Sequence, residues 1–408
     1  LKHLQNYPII VLKKGANMSL YRNLTQEQVV LRDTVRRFAE EYINPVVQEL
    51  DEKEQFSIEL TKKFSELGFL GAFLPEKYKG ISLDYLSYII IIEEIARVDA
   101  SQAATIAAQN SFGIAPILLF GNQKQKDKYL PKLANGNLWS FGITEHFSGS
   151  DIETIETKAE KKGRKNWILN GSKAFVTNAS TEISIGATIL AQTKNEYDKK
   201  NKRIIKEYSL FLVDKDTPGY RISQVKNRMM WRASDSSDII LDECMVPSEN
   251  ILGEEGDGLK LMQTVLDNGR LAIAAIGLGL AQGAFDYALQ YAKHRKTFGK
   301  TIASHQAIAF KLADIEVGIE LARTYLYDVC RMLEVGENIS KESAIAKLYC
   351  SELAQLSAEH CIQILGSNGL LKEFKAERFY RDQRALQIIE GTSELHRMLI
   401  AQMLGCFD

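Results

Sequence analysis

The stretch 266-LDNGRLAIAAIGLGLAQGAFDYALQYAKHRKTFGK-300 decides the fold of the last third of the chain. Its segment 277-GLGLAQG-283 could be mistaken for the glycine-rich loop of a nucleotide-binding fold. Such a loop follows a β-strand and opens a helix, whereas these glycines lie inside a run with the apolar period of a helix. The pattern therefore predicts a long helix near 258–294, whose glycines allow close packing against another helix.

Apolar residues with helical spacing occur on both sides of this stretch. Leu31, Val35, Phe38 and Tyr42 mark an amphipathic helix in the first third, which reads as mostly helical. After the long helix the pattern predicts further helices near 304–335, 339–366 and 372–389, and a last one from about Ser393.

Residues 138 to about 250 differ, because short β-branched or aromatic runs alternate there with turn residues. Asn170-Gly171 is a strong signal for a two-residue hairpin turn. The charge-rich segment 194–207 is interpreted as a solvated loop between strands. The predicted fold is α+β and multidomain, with an all-α N-terminal domain, a β-barrel-like middle domain and a C-terminal bundle of the four-helix type. The predicted segments are a leader at 1–17 outside the fold and domains at 18–137, 138–253 and 254–408.

Composition excludes several classes of function. The 51 basic and 52 acidic side chains nearly cancel, and no dense basic stretch suggests nucleic-acid binding. The five cysteines are scattered and never form C-x-x-C, so neither disulfides nor a zinc site is expected, and no metal is predicted. No apolar run is expected to reach the ~20 residues of a membrane span.

Residues 1–17 precede Met18 and contain lysine but no acid. They lack the arginine and serine enrichment of a transit peptide. The prediction is therefore a cytoplasmic protein, with the mitochondrial matrix as the alternative if this leader is a transit remnant.

The segment 386-LQIIEGTSELHR-397 raises the question of what Glu390 does. Gly391 suits the left-handed position that ends a helix, and Thr392 or Ser393 can cap the next helix. Glu390 should therefore lie at a joint between two helices, where a side chain can point into a cleft. The local pattern alone favours a structural carboxylate.

Five stretches in this order resemble the acyl-CoA dehydrogenase family of flavoenzymes. They are 144-TEHFSGSD-151, 170-NGSKAFVTNAS-180, the stretch 266–300 quoted above, 363-QILGSNG-369 and 380-YRDQRALQIIEGTSELHR-397. The resemblance runs from about Leu24 to Leu404, and the last third looks most like the short-chain, butyryl-type branch. It implies the same order of helical, β and helical domains.

The resemblance implies that Glu390 is the base that removes the α-proton of an acyl-CoA thioester, while the β-hydrogen leaves as hydride to flavin N5. The backbone N–H of Glu390, with a flavin ribityl hydroxyl, would hold the thioester carbonyl. Some branches carry the base at the position of Gly269, where glycine cannot serve. A carboxylate in a dry cleft should have a raised pKa, which suits this task.

The resemblance also implies an FAD site, with Arg295 binding the pyrophosphate and Gln306 and the 363–367 segment reaching a flavin of the neighbouring subunit. The predicted cofactor-binding residues are Phe141, Ile143, Thr144, Gly149, Ser150, Phe175, Val176, Thr177, Arg295, Thr297, Phe298, Gln306, Gln363, Gly366, Ser367, Thr392 and Glu394. The chain departs from the family pattern at His146, Ser148 and Phe175, where proline, alanine and tryptophan are common. A plain reading remains for Arg295, since basic side chains at helix ends are usually solvated caps.

Substrate contacts are predicted for Ser150, Asp267, Arg270 and Gly391. Asp267 and Arg270 could equally form an ordinary intrahelical ion pair. The segment 101–113 lacks the arginine of the glutaryl-CoA branch, so neutral acyl chains are expected. Ile389 stands where tyrosine is common, which leaves the acyl chain length open.

The resulting prediction is an FAD-dependent dehydrogenase of short- or medium-chain acyl-CoA. It would pass electrons to an electron-transferring flavoprotein and work as a homo-oligomer, a tetramer built as a dimer of dimers. The alternatives are an acyl-CoA oxidase and a non-catalytic flavin-binding or interaction scaffold with the same fold.

Overall fold

The computed structural model describes residues 24–198 and 203–407, so the predicted leader lies outside the described residues. Within this described part, seven α-helices precede the first strand. They are α1 (Gln26–Phe38), α2 (Val47–Lys53), α3 (Ile58–Glu66), α4 (Tyr85–Ala96), α5 (Ala100–Ala108), α6 (Ala115–Phe120) and α7 (Gln123–Ala134). A π-helical turn, Gln109–Ile114, joins α5 to α6 without a break in the helical chain. The first third is helical, as its apolar spacing predicts.

Eight strands in the middle of the chain form one mixed sheet. They are β1 (Leu138–Gly142), β2 (Lys158–Lys162), β3 (Asn166–Thr177), β4 (Ser184–Asp198), β5 (Arg203–Asp214), β6 (Tyr220–Gln224), β7 (Ser236–Pro247) and β8 (Ile251–Leu252). The strand order is β6-β7-β3-β2-β4-β5-β8, and β1 pairs with β4 in parallel. The ends of β1 and β3 therefore lie on neighbouring parts of this sheet, near the helices.

The predicted hairpin turn at Asn170-Gly171 is wrong, because β3 continues through both residues. Gly171 lies at a shift in the register between β3 and β7, with φ of 148°. A Cβ atom there would come within 2.5 Å of Thr157 Oγ1, so close packing selects the glycine. The Asn170 amide instead accepts a hydrogen bond from Glu243 N at 2.7 Å.

The predicted solvated loop at 194–207 is also wrong for its described residues. The antiparallel pairing of β4 with β5 continues outward to Asp198 and Arg203. Lys194 Nζ lies 3.2 Å from Glu207 Oε1 across the two strands, and opposite charges at facing positions stabilise such a pair. The high density of charged residues was therefore a misleading signal for a loop.

The rest of the chain forms the helical bundle and a short hairpin. Its elements are α8 (Gly258–His294), β9 (Lys296–Thr297), β10 (Lys300–Thr301), α9 (Gln306–Glu334), α10 (Ser340–Leu365), α11 (Ala376–Gln383) and α12 (Ser393–Met403). The predicted helix at 372–389 is shorter, because the chain turns into a 3₁₀-helix at Arg384–Gln387. The α+β architecture with two helical regions around a β region is confirmed.

The glycines of α8 serve close packing, as predicted. A Cβ at Gly279 would meet the Glu93 carbonyl oxygen at 2.3 Å, and one at Gly283 would meet that of Arg97 at 2.1 Å. Gly277 faces the Cys350 carbonyl oxygen of α10 in the same manner, at 2.8 Å. The backbone of α8 thus touches α4 on one side and α10 on another, which fixes both helices around the centre of the bundle.

Two helical stretches are long and apolar enough to pass for membrane spans, contrary to the expectation from sequence. They are Ala100–Phe120 and Gly258–His294. In their most apolar windows 72% and 78% of the residues are buried inside the protein. Core helices pass the same test of length and composition, and the packing of α8 described above accounts for its apolar character.

Candidate active site

Glu390 lies in a tight turn between the 3₁₀-helix Arg384–Gln387 and α12. Its φ is 51°, and Gly391 follows with φ of 97°. A left-handed conformation costs a residue with a side chain about 1 to 2 kcal/mol, so the neighbouring structure must hold it in place. Thr392 caps α12 by accepting a hydrogen bond from Leu395 N at 3.2 Å. The predicted helix break is therefore present, and it projects the side chain of Glu390 out of the helix.

The carboxylate of Glu390 points toward α8. Its Oε2 atom is buried and has no hydrogen-bond partner among the described residues. A Cβ atom on Gly269 would lie 2.9 Å from this oxygen and 2.7 Å from Cζ of Phe112. Glycine at position 269 therefore leaves the space that the carboxylate and the Phe112 ring share.

Burial raises the pKa of Glu390 to about 8, although the charges of Lys347 and Arg270 act in the opposite direction. The same burial lowers the pKa of Lys347 to about 8, opposed by the charge of Glu390. A carboxylate with such a pKa is a stronger base than an exposed one, because the charged form is poorly solvated. The site therefore contains a side chain that can take up a proton from a weak carbon acid.

Phe112 connects Glu390 with the predicted flavin segment at the end of β1. Its ring centroid is 5.9 Å from that of Phe141. Beyond Phe141 the backbone N–H of Ala174 donates to the Thr144 carbonyl at 2.8 Å. The predicted groups Phe141, Ile143, Thr144 and Phe175, Val176, Thr177 are thus brought together on neighbouring segments, and Phe112 links the first of these segments to the space beside Glu390.

The residues of these segments fit a flavin ring. Phe175 has φ of 57° and is 60% exposed, which presents a phenyl ring to the outside of its strand. An exposed aromatic face of this kind suits stacking with a planar ring system. Gly149 and Ser150 are exposed nearby in sequence, and a Cβ on Gly149 would meet no atom within 4 Å. Glycine at position 149 is therefore not required by packing within the chain.

A buried ion pair joins the two predicted flavin segments, which follow β1 and lie in β3. Lys173 Nζ lies 2.7 Å from Glu145 Oε1 and also donates to the Ile143 carbonyl at 3.1 Å. Glu145 accepts further hydrogen bonds from the backbone N–H groups of Glu156 and Thr157. Burial lowers the pKa of Lys173 to about 8 despite the charge of Glu145. The pair fixes β3 at Lys173 against the chain around Ile143.

A second set of predicted flavin residues lies elsewhere in the chain, at the C-terminal end of α8. Asn368 Nδ2 donates to the Tyr291 hydroxyl at 3.0 Å, which holds the 366–370 turn against the end of α8. The members of this set are exposed or partly exposed: Arg295, Thr297, Phe298, Gln306, Gln363, Gly366 and Ser367. The stretch of α8 from Gly269 to His294 is about 37 Å long. One chain therefore does not bring this set together with Glu390.

The predicted substrate residues Asp267 and Arg270 form an intrahelical ion pair at 2.5 Å. Both are buried, and Ser340 Oγ donates to the second oxygen of Asp267 at 2.6 Å. The Nε atom of Arg270 is buried without a hydrogen-bond partner among the described residues. Asp267 and Arg270 therefore form the ordinary intrahelical ion pair that was the alternative interpretation. A substrate contact of either residue stays a prediction. Glu394 is exposed in the first turn of α12.

Sequence reasoning missed Lys347, Phe112 and the Glu145–Lys173 pair. Lys347 is fully buried on α10, on the same buried face of that helix as Ser343, Cys350 and Ala354. A charged residue on such a stripe is the signal that could have identified it. Phe112 had no signal, because an aromatic residue in a helical run reads as core.

Family models cover nearly the whole described chain. The models described as the N-terminal, middle and C-terminal domains of acyl-CoA dehydrogenase match residues 25–137, 140–244 and 256–405.

Similar proteins agree with these matches. The mitochondrial short-chain specific acyl-CoA dehydrogenase of Mus musculus is 39% identical, over 93% of this chain and 90% of that protein. The butyryl-CoA dehydrogenase of Megasphaera elsdenii is 35% identical with a TM-score of 0.88, over 94% of this chain and 99% of that one. A chain from the structure described as the electron transferring flavoprotein of Acidaminococcus fermentans is 36% identical, with the same TM-score and coverage. The protein belongs to the acyl-CoA dehydrogenase family of FAD-dependent oxidoreductases.

Proposed function

We propose that the enzyme oxidises a short- or medium-chain neutral acyl-CoA to the trans-2-enoyl-CoA, with Glu390 as the base. The observation that carries the proposal is the buried Oε2 atom of Glu390, which lies over Gly269 and has no hydrogen-bond partner in the part of the chain that the structure describes. A structural carboxylate at this position would be expected to have its buried oxygen paired, since an unpaired one is costly. An unpartnered oxygen in a space kept open by a glycine suits contact with a substrate instead.

Glu390 removes the proton from the carbon next to the thioester carbonyl. The proton passes to the carboxylate, and the electron pair of the broken C–H bond forms the new double bond as the β-hydrogen departs. The predicted residues at the ends of β1 and β3 would hold FAD, which would supply the acceptor for that β-hydrogen and its electron pair, a hydride. The raised pKa of Glu390 favours proton uptake from a weak acid, because a general base works best when its pKa is near the working pH.

The backbone around Glu390 supports the same step. The N–H group of Glu390 is available to the thioester oxygen in the proposed pose, and a donor aimed at that oxygen stabilises the charge that develops on it. Gly391 removes a side chain from the adjacent position, where its Cβ would lie 3.0 Å from His396 Nε2. The turn can therefore bind a carbonyl group closely without a clash.

A neutral, short acyl chain fits the residues around the carboxylate. The segment 101–113 contains no arginine or lysine that could pair with a second carboxylate. The ring of Phe112 fills space beside Gly269, and Ile389 is partly buried next to the base. Two of the similar proteins are named as short-chain specific and butyryl-CoA dehydrogenases, which supports the same substrate class.

The complete flavin site is proposed to form between two copies of the chain. The set of residues at the end of α8 is about 37 Å from Gly269 along the helix and therefore serves the flavin of a neighbour. Phe310, Val317 and Leu321 are each about 60% exposed on one face of α9, as a subunit contact requires. We propose a homo-oligomer, with a dimer of dimers as the expected form.

An electron-transferring flavoprotein is the proposed electron acceptor. The similar chain from the Acidaminococcus fermentans structure supports this choice, since that structure is described as an electron transferring flavoprotein. The acyl-CoA oxidase alternative requires that the reduced enzyme react quickly with oxygen instead. A cytoplasmic location stays a prediction.

An anaerobic titration of the purified holoenzyme with saturated acyl-CoA of increasing chain length tests the proposal. Butyryl-CoA or hexanoyl-CoA should bleach the flavin absorbance, and glutaryl-CoA should bleach it poorly. Admission of air then separates the dehydrogenase from the oxidase by the rate at which the colour returns. Absence of bleaching by every acyl-CoA would contradict the proposed reaction and favour a non-catalytic scaffold.

A further inference from the structure

Lys347 is a buried cation that the proposed chemistry does not use. It lies on α10 and is fully buried. Its Nζ atom donates to the Gly391 carbonyl oxygen at 2.6 Å, and this is its one hydrogen bond to a described residue. An ammonium group has three donors and is strongly hydrated in water, so its burial with a single partner is costly. Such a cost indicates a role at the place where the group is held.

The partner of Lys347 belongs to the turn that carries Glu390. Glu390 and Gly391 both have positive φ, at 51° and 97°. A hydrogen bond to the Gly391 carbonyl fixes the orientation of the peptide between Gly391 and Thr392, one residue after Glu390. The turn is thus held from α10 by Lys347 and from α12 by Thr392. The direction of the Glu390 side chain depends on both.

Lys347 also acts on the charge of Glu390. Two cations lower the pKa of Glu390 against the effect of burial. Lys347 has the larger effect, and Arg270 on α8 has the smaller one. Arg270 is already paired with Asp267, whereas Lys347 has no ion-pair partner within 4 Å among the described residues. The positive charge of Lys347 is therefore more available to the Glu390 carboxylate.

The other titratable groups around the pair come from two helices. Glu394 and His396 on α12 and Tyr85 and Tyr88 on α4 interact electrostatically with Lys347 or with Glu390. Burial lowers the pKa of His396 to about 3 and raises that of both tyrosines, so these three are neutral near pH 7. Glu394 is exposed and screened by water. Lys347 and Arg270 are therefore the groups whose charge decides how readily Glu390 ionises.

We propose that Lys347 is a positioning residue of the active site, which fixes the turn of Glu390 through the Gly391 carbonyl and supplies a positive charge that stabilises the ionised form of the base. This inference rests on the proposed role of Glu390. It assigns two separable tasks to one side chain, a hydrogen bond and a charge. Substitutions at position 347 can distinguish them.

Three variants separate the two tasks. Lys347→Gln can still donate to the Gly391 carbonyl but has no charge, Lys347→Met has neither property, and Lys347→Arg keeps both. Lys341→Met is the matched control, because Lys341 lies on the same helix with an exposed side chain. Each holoenzyme is tested for kcat/KM against pH with butyryl-CoA, and for the infrared band of the protonated Glu390 carboxyl, identified by its absence in Glu390→Gln.

Without the charge of Lys347 the ionised carboxylate is less stable, so the pKa of Glu390 rises. In Lys347→Gln the acid limb of the kcat/KM profile and the infrared titration should both move up by about one pH unit, which lowers kcat/KM at pH 7 about tenfold. At high pH the Gln variant should approach the wild-type rate, while Lys347→Met stays slower at every pH because the turn is no longer held. Lys347→Arg should restore the profile toward the wild type, and Lys341→Met should not change it.

The inference is overturned if Lys347→Gln and Lys347→Met keep the wild-type pH profile and infrared titration while thermal stability alone falls. It is equally overturned if all three substitutions at 347 prevent folding, since that result assigns the lysine to the structure alone. Glu390→Gln belongs in the same series. A fully active Glu390→Gln enzyme would remove the proposed function itself, whereas an inactive one with an unchanged Lys347→Gln profile would remove only the role of Lys347.

Discussion

At the scale of single residues, Glu390 combines a positive φ with a buried oxygen that no described residue satisfies. The helix break, the cap at Thr392 and the raised pKa were all predictable from 386-LQIIEGTSELHR-397 and the family resemblance. The left-handed conformation of Glu390 itself was not, because the short-range pattern gives that role to Gly391 alone. Lys347 could not be predicted either, since its partner is a carbonyl group 44 positions away in the sequence.

The pH dependence of the reaction follows from the pKa of Glu390. The base must be ionised to accept a proton, and its pKa in the free enzyme is raised to about 8 by burial. The value of kcat/KM should therefore increase with pH up to about 8 and level off above it. A profile measured with butyryl-CoA that is already flat from pH 5.5 would contradict this environment for the carboxylate.

Gly269 should be intolerant of even a methyl group. A Cβ at this position would lie 2.7 Å from Phe112 and 2.9 Å from Glu390 Oε2, so Gly269→Ala must displace a ring or the base. We expect a fall in kcat/KM of at least about tenfold, because a displaced catalytic group loses its alignment. Retention of bound FAD checks the fold, and a wild-type rate would mean that the space beside Glu390 is not used.

At the scale of elements, α8 organises the molecule. Its glycines meet the backbone of α4, its middle faces Glu390 across Gly269, and its end carries the β9–β10 hairpin. Helices with a clear apolar period were predicted to within a few residues. Asn170-Gly171 and the segment 194–207 failed, because strand pairing and the close approach of Thr157 outweighed local turn and charge signals. Such contacts join distant parts of the chain and leave no local trace.

Two helical glycines give a matched test of the packing of α8. In Gly283→Ala the new methyl group would meet the Arg97 carbonyl oxygen at 2.1 Å, and a backbone atom cannot easily move away. We expect the free energy of unfolding to fall by about 1 to 3 kcal/mol.

The control is Gly318→Ala on α9, where the closest atom is the flexible end of Leu353 at 2.6 Å. There the better helix propensity of alanine, about 1 kcal/mol, should offset the adjustment of Leu353. Urea unfolding of both variants measures the difference. Equal losses of stability would show that backbone contact along α8 is not what distinguishes the two sites.

At the scale of the whole molecule, the two sets of predicted flavin residues lie at opposite parts of α8. The set near Glu390 contains the ends of β1 and β3, and the other set surrounds Arg295 and Gln363. The sequence indicated which residues belong to the cofactor site through resemblance alone. The structure was needed to show that about 37 Å of α8 lie between Gly269, beside Glu390, and the second set. This distance depends on the unbroken length of the helix.

Mixed oligomers test whether the site is shared between copies. Glu390→Gln and a double variant Arg295→Ala, Gln363→Ala should each be inactive alone, the second through weak FAD binding. Coexpressed as hetero-oligomers, they should recover about a quarter of the wild-type activity, since half of the dimers contain one intact site of two. Mixed species isolated by different tags on the two subunits should have about half of the wild-type activity. A site built within one chain would yield no recovery in either preparation.

The most direct test of the central claim is a single anaerobic turnover of Glu390→Gln holoenzyme with butyryl-CoA, followed by the loss of flavin absorbance. Glu359→Gln, an exposed carboxylate on α10, is the control and should react like the wild type. If Glu390 removes the proton, Glu390→Gln should retain FAD and bind butyryl-CoA, but bleach at least about a thousandfold more slowly, as expected for loss of a general base. Bleaching of Glu390→Gln at the wild-type rate, with FAD fully bound, would contradict the assignment of Glu390 as the base.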